Sequence, residues 1–85
     1  LNNIIELCKN HDISLKNVCY IGDDLNDIST IQSVGYGCCP RDAINSVKEA
    51  ADYIASVKGG SGVIREVAEI IIKSNEDIRR REGEK

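Results

Sequence analysis

Tyr20-Ile21-Gly22-Asp23-Asp24-Leu25-Asn26-Asp27 follows the apolar residues Val18 and Cys19 and gathers three carboxylates within five positions. Val18 to Ile21 form an uninterrupted apolar stretch, which predicts a strand buried on both faces of a parallel sheet. Gly22 then permits a tight turn, and Asp23, Asp24 and Asp27 fall where the strand gives way to a helix. In open α/β sheets, ligands bind at the carboxyl ends of strands. Like charges this close repel unless something positive sits among them, and hard oxygen ligands suit Mg²⁺. The same residues admit a second reading, in which Asp23 or Asp24 caps a helix and the others complement its dipole.

Outward from this stretch, helices and short apolar strands alternate. Leu1, Ile4, Ile5 and Cys8 recur at helical spacing and predict an amphipathic helix ending near Asn10-His11-Asp12. Ser14 to Asn17 reads as a short loop. Leu25, Ile28 and Ile31 space a second helix to about Ser33, and Gly35 to Cys39 reads as a second strand closed by Pro40. A short helix is expected over Ala43 to Ala50 and a third strand at Tyr53-Ile54-Ala55. Gly59-Gly60-Ser61-Gly62 is a loop, suited to a sharp turn or a close backbone approach. A final helix follows from Val63 to about Ile78. The pattern is that of a layered α/β fold with three short parallel strands.

Composition narrows the function classes. The chain has 85 residues and no Trp, Phe or Met, so its core is aliphatic. A single domain of this size buries only about 60–65% of its unfolded surface. Net charge of −3 gives no footprint for nucleic acid. Arg79-Arg80-Arg81 is interleaved with Glu76, Asp77, Glu82 and Glu84, which reads as a solvated, frayed terminus over residues 76–85. No apolar stretch approaches the roughly 20 residues of a membrane span, and the N-terminus lacks a signal-peptide pattern. Cys8, Cys19, Cys38 and Cys39 fall on apolar positions without a Cys-x-x-Cys pair, so buried, reduced thiols in a cytoplasmic protein are expected. His11, the single histidine, reads as a cap at a helix end. Ser29, Thr30 and Ser33 have no histidine partner for a nucleophilic triad.

The Gly-Asp-Asp-x-x-Asp stretch at Gly22 to Asp27 resembles the metal-binding loop of haloacid-dehalogenase-type (HAD) phosphatases. The resemblance continues through Ser33-Val34-Gly35-Tyr36-Gly37, Ala51-Asp52-Tyr53-Ile54 and Lys58 to Glu66, in that order, and covers roughly Leu1 to Ile72. It is closest to the capless phosphatases of 3-deoxy-octulosonate 8-phosphate and of nonulosonate 9-phosphates, and to the related domain fused to some acylneuraminate cytidylyltransferases. It implies a Rossmann-like HAD fold in which residues 1–75 form the C-terminal half of the domain. It further implies Mg²⁺ as cofactor, a sugar-acid phosphate as substrate and a homotetramer. Asp23 matches the Mg²⁺-ligating carboxylate. Asp24 and Asp27 match acids that orient metal-bound water, with Asp27 the better placed for a second metal contact. Asn26 is placed to hydrogen-bond phosphate or nucleophile. Lys58 and the glycine segment resemble the lining of a substrate entrance between subunits, although many relatives carry Arg where Ser61 stands.

The family's nucleophile lies in an Asp-x-Asp motif, and none of the aspartates here forms one. Its phosphate-steadying Lys precedes the first helix of this chain, so Lys9 and Lys16 sit too late to match it. The resemblance therefore implies the metal loop without the nucleophile, and a chain inactive by itself. An alternative is a non-catalytic oligomerisation domain of the kind attached to an acylneuraminate cytidylyltransferase. A phospho-receiver module would need an acceptor Asp at the end of a later strand, whereas Asp52 precedes its strand.

Overall fold

The computed structural model describes the backbone of residues 1–83 and the side chains through residue 79. Helix α1 (Asn2–Asn10) leads through a 3₁₀ turn (Leu15–Asn17) into strand β1 (Cys19–Ile21). A second 3₁₀ turn (Leu25–Asp27) runs directly into α2 (Ile28–Ser33). Strand β2 (Tyr36–Cys39), α3 (Asn45–Ala50), β3 (Tyr53–Ile54) and α4 (Val63–Gly83) complete the order. The strands form one parallel sheet in the order β1-β2-β3, with Cys19 opposite Tyr36 and Cys38 opposite Tyr53. The α/β fold and its three short parallel strands are as the sequence implies.

Side chains alternate across a strand, and the two faces of β2 show it. Cys39 points into a cluster with Ile31, Ala43 and Val47 from the α2–α3 side, which Tyr20 also joins. Cys38 points the other way, to Ala55, Val63 and Val67, beneath α4. The sheet thus lies between two helical layers, and Ile31, Val47, Cys38 and Cys39 are the largest fully buried side chains among the described residues.

Three expectations need correction. Burial on both faces belongs to β2 and not to β1, where Cys19 is exposed and Tyr20 and Ile21 are half-buried. The reason is position: β1 is an edge of the sheet and β2 its centre. The expectation of four buried thiols fails at Cys19 for the same reason, although all four cysteines are free. Its sulfur lies 4.0 Å from that of Cys38, whose thiol is pushed up to about 12 by burial and by Cys19. Lastly, α4 does not stop near Ile78 but continues to Gly83. The segment after Ile72 contributes Lys73, Glu76, Arg79, Arg80, Arg81 and Glu82, all good helix formers, so charge interleaving does not end the helix. Residues 84–85 of the charged tail lie outside the described residues.

Candidate metal loop and cleft

The acidic stretch leaves the carboxyl end of β1 and turns at Gly22 into the 3₁₀ turn of Leu25–Asp27. Gly22 is buried, and a Cβ there would stand 2.5 Å from the Asp27 Cβ and 2.7 Å from its Cγ. Only glycine lets the Asp27 side chain fold back this closely over the strand end.

The three carboxylates have different partners. The Asp27 Oδ2 accepts from the backbone N–H of Asp23 at 3.0 Å and of Asp24 at 3.1 Å, and its Oδ1 accepts from the Tyr20 hydroxyl at 2.7 Å. The Tyr20 hydrogen bond, followed by the two backbone N–H groups, holds the Asp27 carboxyl below the usual carboxylate range. The same bond to Asp27, with burial, raises the Tyr20 phenol. Asp24 caps the 3₁₀ turn, its Oδ1 accepting from the Leu25 N–H at 2.7 Å, and forms a reciprocal capping box with Asp27. Asp23 is exposed, and its carboxylate has no hydrogen bond among the described residues. The capping alternative therefore describes Asp24, while Asp23 is left available to a ligand.

Asp23 and Asp27 line a cleft of about 260 Å³ whose far wall is Gly59, Gly60, Val63 and Ile64. This wall is anchored at both ends. Gly59 N–H donates to Asp42 Oδ1 at 2.8 Å, which draws that carboxyl below its usual range. At the other end Glu66, in the first turn of α4, accepts from Tyr53 Oη and from both Oγ and N–H of Ser56. Those donors hold the Glu66 carboxyl low, and Glu66 in turn pushes the Tyr53 phenol up to about 12. Gly60 and Gly62 have φ of +81° and +98°, with open space around each. Their glycine character thus serves a left-handed turn into α4 and not a close approach to another backbone.

The acidic loop and the glycine segment, far apart in sequence, face one another as a site would require. Asn26 and Lys58 do not line the cleft: both are exposed beside it in the chain. A separate hollow of about 330 Å³ opens at the amino ends of β1 and β2, beside Lys16, Cys19 and Tyr36, and holds no carboxylate. Among the described residues no group of three His, Cys, Asp or Glu side chains comes together as a metal cage. One free carboxylate with a second close by is nevertheless a donor set that fits Mg²⁺, which keeps most of its waters and takes one or two protein carboxylates. Sequence reasoning missed Tyr20 as part of this site. The Asp24-x-x-Asp27 spacing, by contrast, was a readable sign of a capping box.

Comparison with known proteins agrees with this architecture. A sequence model of haloacid dehalogenase-like hydrolases matches residues 1–76. The chain is 32% identical over 72 residues to the 3-deoxy-D-manno-octulosonate 8-phosphate phosphatase of Escherichia coli K12, covering 85% of this chain and 38% of that protein. The Moraxella catarrhalis phosphatase of the same name, solved with magnesium ion, phosphate ion and KDO, superposes with a TM-score of 0.82 at 35% identity, over 85% of this chain and 41% of that one. The cobalt-bound Haemophilus influenzae enzyme gives 0.79 at 31% identity, over 84% and 40%. The chain spans about two fifths of the length of these relatives.

Proposed function

Because the chain belongs to the haloacid dehalogenase-like hydrolases, we propose that it supplies the metal-binding acidic loop of a Mg²⁺-dependent phosphatase acting on a sugar-acid phosphate. The observation that carries this reading is the free Asp23 carboxylate at the carboxyl end of β1, opening into the cleft shared with the glycine segment. Asp23 is the ligand in this proposal. Asp27 would accept a hydrogen bond from water on a bound ion through acceptor capacity left over after its three donors, since a carboxylate offers roughly four lone-pair sites. Asp24 holds the turn, and Asn26 is the hydrogen-bonding group toward phosphate. The ion, when bound, neutralises charge on phosphoryl oxygens. The relatives' names support the sugar-acid phosphate as substrate class.

No Asp-x-Asp pair is present, so the nucleophile belongs outside these 85 residues. We expect the isolated chain to release no phosphate from 3-deoxy-octulosonate 8-phosphate. A protein in which the chain is joined to an Asp-x-Asp segment should do so with Mg²⁺ and stop when the metal is chelated. Phosphate release is the measurement. Sustained Mg²⁺-dependent turnover by the isolated chain, or metal-independent turnover by the joined one, overturns the reading.

Lys58 extends the proposal to the substrate. It is exposed immediately before the glycine wall of the cleft, where a cation attracts an anionic sugar acid. In the complete enzyme, Lys58→Ala should raise KM for the sugar-acid phosphate about fivefold, the scale of one exposed charge contact of about 1 kcal/mol, and spare a small aryl phosphate. Equal effects on both substrates would remove Lys58 from substrate recognition.

A homotetramer is part of this proposal because the family resemblance implies it. A cytoplasmic location is supported by the free thiols. Among the described residues no helix is long and apolar enough to cross a membrane.

A further inference from the structure

We propose that Tyr20 is the positioning residue of the acidic loop: its hydroxyl clamps Asp27, and Asp27 fixes the backbone of Asp23 and Asp24 so that Asp23 stands at the cleft. The service this does to a metal rests on the function proposed above, whereas the clamp itself does not.

The geometry runs through a single carboxylate. The Tyr20 ring leaves the middle of β1 and packs against the buried cluster of Ile31, Cys39, Ala43 and Val47. Its hydroxyl therefore projects from a fixed base. It meets Asp27 Oδ1 at 2.7 Å, while Oδ2 spans the N–H groups of Asp23 and Asp24 at 3.0 and 3.1 Å. Strand, turn and the residue preceding α2 are thus pinned together across the acidic loop. Three like charges within five residues would otherwise push this loop open. Three donors around Asp27 hold it shut before any cation arrives, so the ion meets a preformed site and less of its binding energy goes to ordering the loop. Asp27 is accordingly more a strut than a ligand. Asp23 needs no partner of its own, because its backbone is already fixed.

Tyr20→Phe tests this, since it keeps the ring in its cluster and removes only the hydroxyl. The test is made in the complete protein, with amide hydrogen exchange and Mg²⁺ titration as readouts. Losing one hydrogen bond to an ionised group should speed exchange at the Asp23 and Asp24 amides roughly threefold to tenfold and weaken Mg²⁺ binding by a similar factor. The amides of Gly37 to Cys39 in β2 should keep their protection. Unchanged loop exchange with unchanged Mg²⁺ affinity overturns the proposal. So does a loss of protection that spreads equally through β2, which would make Tyr20 a general prop of the fold. If the unsubstituted protein binds no Mg²⁺ and Tyr20→Phe still opens only the loop, the clamp stands and the metal-dependent function falls.

Discussion

Replacing Gly35 by Ala is expected to lower the melting temperature of the protein by about 12–24 °C, the equivalent of about 3 kcal/mol in a domain of this size. A Cβ at this position would stand 1.8 Å from the Lys16 carbonyl oxygen and 2.5 Å from its carbonyl carbon. Both are backbone atoms, so no side chain can swing aside. The contact is fixed further because Gly35 N–H donates to the Leu15 carbonyl at 2.9 Å and Tyr36 N–H to Val18 at 3.2 Å. The 3₁₀ turn before β1 is therefore seated directly on the entrance to β2. Relief of the clash has to move the two strands apart at the end where their pairing begins. Small domains hold only about 5–15 kcal/mol in all, so this is a large share. Thermal unfolding followed by circular dichroism measures it, and a melting point within a degree or two of the parent protein would mean that the turn yields freely.

Asp23→Asn is expected to cut Mg²⁺-dependent turnover of the complete enzyme by at least about a hundredfold, which corresponds to about 2.7 kcal/mol or more of lost charge stabilisation. The substitution keeps size and shape and removes the charge. Since the Asp23 side chain makes no hydrogen bond among the described residues, the loop and the fold should be unaffected. Melting temperature and turnover are thus separable. A folded Asp23→Asn enzyme with near-normal turnover would move the metal site elsewhere. Loss of turnover accompanied by an equal loss of stability would instead assign Asp23 a structural part.

Much of the architecture was legible because short apolar runs alternate with segments of helical period in this chain. Val18 to Ile21 and Gly35 to Cys39 are too short for helices and are bounded by Gly22 and Pro40, which is what marks them as strands. Less legible were features set by neighbours in space. Nothing in the apolar run at β1 distinguishes an edge strand from a central one, and Cys19 was misjudged for that reason. The 3₁₀ turns carry too few residues to show a period. Within the acidic loop, the family resemblance singles out Asp23 and the Asp24-x-x-Asp27 spacing marks a capping box, but neither gives the hydrogen bonds of Asp27. Which carboxylate is spent on backbone N–H groups depends on the direction of the turn and on a tyrosine from the strand. The facing of Asp23 and the glycine segment across one cleft likewise depends on where α4 begins, which Glu66 settles through Tyr53 and Ser56.

The parallel arrangement of the sheet also bears on how the chain finds its fold. Parallel neighbours cannot be joined by a hairpin and need a crossover of a dozen residues or more. Here the crossovers are close to that minimum: Asp52 accepts from the Gly37 N–H across a separation of 15 residues. Loop-closure entropy rises only slowly with length, so each such closure costs about 1–2 kcal/mol more than a hairpin would. Both use helices of one layer, α2 and α3, which reach the same buried cluster. Val63 and Val67 must return from farther along the chain to cover Cys38. Topology therefore favours β1, α2, β2 and α3 as the early-forming part, with α4 docking last over a sheet that is already closed on its other side.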